Sequence, residues 1–146
     1  MDFSLKESLS YAKKDEIDKW AHEFLNNEGS NVKLSKVMNG KGYWLGPVEV
    51  PFSKLVRCCG PEKNMKFYEE KEKFYKHVEN IIKKFQEGWD MPPFIAWHLN
   101  EKLSLADGNH RIEALRKIGF KKYFAIMWFE KSSDFKKYKK MFDKTL

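Results

Sequence analysis

Hydrophobic residues recur at helical spacing in four segments of the chain. The first segment predicts an amphipathic helix over residues 15–28, capped by Asp15 and ended by Gly29. Its apolar stripe consists of Ile17, Trp20, Ala21, Phe24 and Leu25. The same periodicity predicts three further helices, over residues 66–87, 109–118 and 134–142.

Short runs of apolar residues lie between these helices and predict strands. Residues 94–98, 102–106 and 123–129 are such runs, with a turn at Asn100-Glu101 between the first two. Residues 43–58 also have strand character, but Pro47 and Pro51 interrupt them. Because proline has no amide donor, a strand there must be short, lie at a sheet edge or start at the proline. Strands interleaved with helices indicate an α/β or α+β sheet covered by helices.

The 146 residues contain no internal repeat, low-complexity tract or Pro/Gly/Ser-rich linker, which predicts a single domain. No apolar run approaches the roughly 20 residues that a membrane helix needs. The first residues lack a basic start followed by an apolar stretch, so we expect no signal peptide. We therefore expect a cytoplasmic protein without a membrane partner.

The formal net charge of +7 makes nucleic acid a candidate partner, because lysine and arginine neutralise phosphates. Much of the excess lies late in the chain, for example in Lys136-Lys137-Tyr138-Lys139-Lys140. A solvated terminal helix explains the same run, since basic residues also increase solubility.

The two cysteines, Cys58 and Cys59, are adjacent in the sequence. Neighbouring cysteines rarely form a disulfide with each other because the bridge strains the backbone. No second pair stands at zinc-ligand spacing, so the sequence predicts two buried thiols in a reducing compartment and no metal ligands.

The segment Asp107-Gly108-Asn109-His110-Arg111 joins a predicted strand directly to a predicted helix. The first amides of a helix lack intrahelical partners and carry the positive end of its dipole. Gly108 allows close approach of a ligand, and His110 and Arg111 add side-chain donors. Asp107 is suited to hold magnesium, to orient His110 or to accept from a sugar hydroxyl. This pattern is typical of a phosphate-binding turn.

Simpler explanations exist for each of these residue types. Asp-Gly and Asn are ordinary turn and capping residues, and the first helical turn can be solvated. Glu69 and Glu70 are expected to pair with Lys73 on the long helix, and His77 is expected on a helix surface without a role. Trp44, Trp89 and Trp97 are suited to stack on a base, although packing explains them equally.

Residues 92–129 resemble the ParB/sulfiredoxin superfamily, whose members share strand, turn, strand, small-residue turn, helix and strand. The turn Asp107-Gly108-Asn109-His110-Arg111 is most similar to the Asp-Gly-Thr-His-Arg form of the free-serine kinases. Residues 48–57 resemble the superfamily's first strand, and this resemblance implies that Arg57 matches an arginine near the nucleotide phosphates. The resemblance implies an α+β fold, a mixed sheet covered by helices. It divides the chain into an N-terminal helical extension (1–46), a core (47–130) and a C-terminal helix (131–146).

The chain also departs from two members of this superfamily. Asn109 stands where sulfiredoxins have their reactive cysteine, which argues against sulfinic-acid reduction. The helix-turn-helix domain and the arginine pair of ParB proteins have no counterpart in these residues, which argues against chromosome partitioning.

The resemblance implies a nucleotide-binding enzyme that uses ATP or ADP with Mg²⁺ to transfer a phosphoryl group to a small molecule, or that hydrolyses the nucleotide. Arg57, Gly108, Asn109, His110 and Arg111 are the expected phosphate-binding residues. Asp107, His110 and Glu62 are the expected catalytic residues, with Glu62 as general base because it follows the first strand as the kinase glutamate does. The alternatives are a nucleic-acid-binding or nuclease module and a non-catalytic module switched by nucleotide.

Overall fold

The computed structural model describes residues 1–29, 31–38 and 40–142; residues 143–146 of the predicted C-terminal segment lie outside them. The helices are α1 (Leu5–Lys13), α2 (Ile17–Asn26), α3 (Val32–Val37), α4 (Lys71–Gln86), α5 (Asn109–Lys117) and α6 (Ser132–Phe142). The strands are β1 (Tyr43–Pro51), β2 (Leu55–Val56), β3 (Cys59–Gly60), β4 (Phe67–Tyr68), β5 (Phe94–Leu99), β6 (Lys102–Asp107) and β7 (Lys122–Phe129). A 3-10 turn, Phe52–Lys54, joins β1 to β2.

A five-stranded mixed sheet has the strand order β1-β7-β5-β6-β2. Its centre is parallel between β5 and β7 and antiparallel between β5 and β6. The strands β3 and β4 form a separate parallel pair. The predicted α+β class, a mixed sheet covered by helices, is therefore confirmed.

Alternating side chains on the central strands separate two hydrophobic cores. Along β7, Ala125 and Met127 face the core beneath α4 and α5, whereas Ile126 and Trp128 face the core beneath the N-terminal helices. This period of two is the natural repeat of a strand, and a strand covered on both faces is hydrophobic at every position. The N-terminal helices thus cover the second face of the sheet.

The N-terminal extension contains more helix than its pattern predicts. The helix α1 begins after Ser4, whose hydroxyl accepts from the Glu7 amide at 3.0 Å. Only Ser8 of this helix is fully buried, and its apolar residues Leu5, Tyr11 and Ala12 are partly buried against the two cores. The predicted cap Asp15 is wrong: α2 begins after Glu16, and Asp15 has a φ of 58° in the turn between the helices.

Two other predicted boundaries change. The strand β1 runs from Tyr43 to Pro51, so the predicted boundary at 46/47 falls inside it. Of the three alternatives that the prolines allowed, the structure shows the second: β1 is not short, but it lies at the edge of the sheet. The long helix begins at Lys71 rather than at residue 66, because Phe67–Tyr68 form β4.

Within the three described ranges, every helix is too short or too polar to cross a membrane.

Candidate functional site

The turn between β6 and α5 places a left-handed glycine directly before the first residue of the helix. Gly108 has a φ of 112°, and its carbonyl accepts the first helical hydrogen bond, from the Ile112 amide at 2.9 Å. The amides that precede Ile112 in α5 have no intrahelical acceptor, and the helix dipole places positive charge there. A Cβ at position 108 would lie 2.6 Å from Cδ1 of Phe94, so the turn accepts glycine alone without rearrangement.

Arg111 is buried, and its hydrogen bonds hold this turn in place. Its guanidinium donates to the carbonyl oxygens of Pro92 and Pro93, and to Oδ2 of Asp107 at 2.6 Å. Asp107 therefore pairs with Arg111, one helical turn away, rather than with His110. Three acceptors around one buried cation fix both side chains.

Asn109 is also buried, and it ties the turn to the cysteine pair. Its Oδ1 accepts from the amides of Cys58 and Cys59 at 2.8 and 3.2 Å, and its Nδ2 donates to the Leu105 carbonyl at 3.2 Å. The side chain thereby satisfies two amides of the segment that carries β3. Its role in this arrangement is to position Cys59 relative to α5.

His110 lies between two groups of side chains that the sequence separates widely. Its Nε2 lies 2.7 Å from Oε2 of Glu69, and its ring stacks on His77 with centroids 4.1 Å apart. His77 is exposed on the surface of α4, as predicted, and its contact with His110 joins α4 to the start of α5. Glu69 also differs from its prediction: its partner is His110, and it lies before α4 rather than on it.

The histidine pair and Glu69 perturb one another electrostatically. Burial and the neighbouring charge of His110 lower the pKa of His77. Burial acts to raise the pKa of Glu69, but the hydrogen bond and charge of His110 outweigh it, so the pKa of Glu69 is lowered. Perturbed groups in a cleft are typical of functional sites.

A cavity of about 620 Å³ opens beside the turn. Asp107, Gly108, His110 and Arg111 line one side of it, and α2 with the residues that follow it contributes a second side through Phe24, Glu28 and Gly29. The third side belongs to α4 and the residues after it: His77, Asn80, Ile81, Lys84, Trp89 and Pro92. Lys84 places its ammonium 4.0 Å from the centre of the Trp89 ring.

Arg57 and Glu62 lie together, but not on the wall of this cavity. The Arg57 guanidinium forms ion pairs with Glu62 and, at 3.3 Å, with Glu113, and it donates to the Cys59 carbonyl. The predicted site residues therefore fall into two groups, with Asn109 in neither, because its buried side chain bonds to the cysteine segment. Asp107, Gly108, His110 and Arg111 share the cavity; Arg57 and Glu62 share an ion-pair cluster at the β3 end of the site.

Cys59 adds a sulfur atom to the imidazole nitrogen of His110 and the carboxylate oxygen of Glu69. Its Sγ lies 3.5 Å from Oε2 of Glu69, and the metal-ligating atoms of Cys59, Glu69 and His110 all lie within 4.8 Å of one another. Burial and the adjacent Glu69 carboxylate raise the pKa of the Cys59 thiol to about 11. Sequence spacing gives no sign of this cluster, since its members come from β3, from the loop after β4 and from α5.

No protein-family model matches the chain, and no curated protein matches it. Among solved structures, the chain is similar to one described as the C2221 form of a Pnob8-like ParB-N domain. The two are 20% identical with a TM-score of 0.42, over 64% of this chain and 32% of that one. The matched part is thus less than a third of the longer chain.

Proposed function

We propose that this chain binds a nucleoside di- or triphosphate in the cavity beside Gly108. The observation that carries the proposal is the meeting of an amide-lined helix start with Lys84 and Trp89 across one cavity. Its volume of about 620 Å³ falls in the range of small-molecule sites, roughly 300–1,000 Å³.

Each part of a nucleotide finds a complementary group in this cavity. The amides at the start of α5 suit the phosphates, and Lys84 of α4 supplies a cation that lines the same cavity. The Trp89 ring offers a flat surface on which a base can stack once Lys84 turns toward the phosphates. Arg111 contributes fixed positive charge while its donors hold the backbone.

Phosphoryl transfer or hydrolysis is the chemistry that we propose for a bound Mg²⁺-nucleotide. Asp107 offers a carboxylate at the cavity wall for the magnesium, which it would have to hold while its Oδ2 stays paired with Arg111, and His110 lines the same cavity. Glu62 stays a predicted general base only through the superfamily resemblance, because its carboxylate is paired with Arg57 beyond the cavity lining.

Calorimetric titration with ATP, ADP and CTP, with and without Mg²⁺, tests nucleotide binding. Lys84→Met keeps the aliphatic stem and removes the charge, so we expect affinity to fall by about tenfold or more, the usual effect of losing a charged hydrogen bond. Lys83→Met is the matched control, since Lys83 is exposed on the same helix and lies off the cavity wall. Absence of binding to all three nucleotides would contradict the proposal, as would equal affinity in the two variants.

Phosphate release separates an enzyme from a nucleotide-switched module. We expect Asp107→Asn to lower the turnover of a Mg²⁺-nucleotide more than it lowers binding, because the carboxylate acts through the metal. Tight binding without turnover in the unaltered chain would favour the regulatory alternative.

Nucleic-acid binding is the second candidate, favoured by the exposed lysines Lys136, Lys137, Lys139 and Lys140 on α6. Gel-shift affinity measured across a salt series tests it. A steep loss of affinity with salt, weakened by reversing these charges, supports it, and no shift at low salt excludes it.

A further inference from the structure

We propose that Cys59, Glu69 and His110 form a binding site for a transition-metal ion of the Zn²⁺ class. The cluster offers one sulfur, one oxygen and one nitrogen, with the ligand atoms within 4.8 Å of one another. His110 belongs to both proposals, whereas the nucleotide proposal assigns no role to Cys59 or Glu69, so variants of these two residues test the metal site separately.

The sulfur–oxygen separation matches that of a tetrahedral site, the nitrogen–oxygen separation is shorter, and all three atoms lie within 4.8 Å of one another. Typical Zn–S and Zn–O lengths, about 2.3 and 2.0–2.2 Å, place two such ligand atoms about 3.5 Å apart at the tetrahedral angle. The Sγ of Cys59 and Oε2 of Glu69 are 3.5 Å apart. His110 Nε2 is 2.7 Å from the same oxygen, a hydrogen-bond length. An ion between them replaces that bond and needs the two atoms to separate by roughly 0.6 Å, a small side-chain adjustment.

The donor set indicates which ions fit. A thiolate and an imidazole are preferred by Zn²⁺ and its neighbours, whereas Mg²⁺ and Ca²⁺ prefer oxygen ligands throughout. Coordination requires the thiolate, so the Cys59 proton is released to solvent when the ion binds. Three protein ligands leave a fourth position for water or another ligand, the arrangement of zinc sites that exchange ligands.

The backbone around each ligand is already held in place. The Glu69 amide donates to the Gly60 carbonyl at 3.0 Å, which fixes the carboxylate beside the cysteine strand. Asn109 accepts from the Cys59 amide, and His110 is the next residue of the same helix. Supporting contacts of this kind orient ligands and strengthen metal sites.

Co²⁺ titration of the purified chain, without nucleotide, tests the site. We expect one equivalent to bind with a thiolate-to-cobalt charge-transfer band and strong visible bands of four-coordinate cobalt, and Zn²⁺ to displace it. Cys59→Ser should abolish the charge-transfer band and lower Zn²⁺ affinity by about a hundredfold or more, since it removes a ligand rather than a supporting contact.

The matched controls are the adjacent residues. Cys58→Ser should bind as the unaltered chain does, because the Cys58 thiol donates to the Leu105 carbonyl instead. Glu69→Gln should weaken binding while Glu70→Gln should not, and thermal unfolding checks that each variant folds. If the Cys59 variant does not fold, X-ray absorption of the zinc-loaded unaltered chain decides: one sulfur among nitrogen and oxygen ligands supports the site. Absence of the band, equal loss in both cysteine variants, or two sulfurs at the metal would overturn the proposal.

Discussion

Asp107 and Arg111 form an ion pair across the first turn of α5, with Oδ2 and Nη2 2.6 Å apart. The same guanidinium holds the carbonyls of Pro92 and Pro93, which lead into β5. One buried side chain therefore joins the end of β6, the start of α5 and the segment before β5. The cavity wall beside Gly108 depends on this junction more than on any contact made by solvent-exposed residues.

Replacing Arg111 by Met should destabilise the fold strongly. Removal of one partner of a buried ion pair costs about 3–5 kcal/mol, and partial exposure of Asp107 reduces the expected loss to about 2–4 kcal/mol. Arg116→Met is the control, because Arg116 pairs with Glu113 at the surface, and its loss should stay below about 1 kcal/mol. Urea unfolding of both variants measures the difference. Similar free energies of unfolding would show that Arg111 does not anchor the turn.

Alanine at Gly108 should be more destabilising than alanine at Gly119. Both glycines have positive φ, 112° and 97°, so both substitutions carry the backbone strain of about 1–2 kcal/mol. Only at position 108 does the added Cβ also meet a buried ring, Phe94, at 2.6 Å; at Gly119 nothing lies within 4 Å. Thermal and urea unfolding of the two variants, compared directly, isolate the steric contribution. A Gly108→Ala chain as stable as Gly119→Ala would mean that Phe94 moves aside freely.

The C-terminal half of the fold was predictable because its hydrophobic pattern is local. Phe94–Leu99, Lys102–Asp107 and Lys122–Phe129 form strands within one or two residues of their predicted bounds. The turn at Asn100-Glu101 is confirmed, with φ of 51° and 62°. Each of these elements is covered by helices or neighbouring strands, so the hydrophobic pattern of its own residues reflects its burial.

The cluster around His110 was not predictable from local pattern. Cys59 lies in β3, and Glu69 follows β4. Strands of two residues are too short to show a hydrophobic period. The meeting of both residues with His110 is decided by how the β3–β4 segment packs against α5, a tertiary contact. Asn109 illustrates the same limit: its residue type suggests a helix start, but its partners lie about fifty positions earlier in the chain.

Replacing Asn109 by Ala should loosen the cysteine segment. The substitution leaves the amides of Cys58 and Cys59 without their acceptor, and each unsatisfied buried amide costs about 1–3 kcal/mol. We expect a loss of about 2–4 kcal/mol in the free energy of unfolding. Hydrogen exchange should also accelerate at these two amides more than at the Ile112 amide, which keeps its bond to Gly108. Uniform acceleration across α5 would instead indicate general unfolding of the helix.

The buried hydroxyl of Tyr123 stabilises the fold, and this contribution is lost at alkaline pH. Its hydroxyl donates to the Met91 carbonyl at 2.6 Å, and burial raises its pKa from about 10 to about 12. The unfolded chain therefore loses this proton first as pH rises, so the contribution is complete below about pH 10 and disappears progressively toward pH 12.

Tyr123→Phe should be less stable than the unaltered chain by about 1 kcal/mol at neutral pH, the usual value of one hydrogen bond. Urea unfolding near pH 8 and near pH 11 should show this difference shrinking at the higher pH. Tyr68→Phe, on an exposed ring, controls for the loss of a hydroxyl. A difference that stays constant or grows with pH would contradict the buried, neutral phenol.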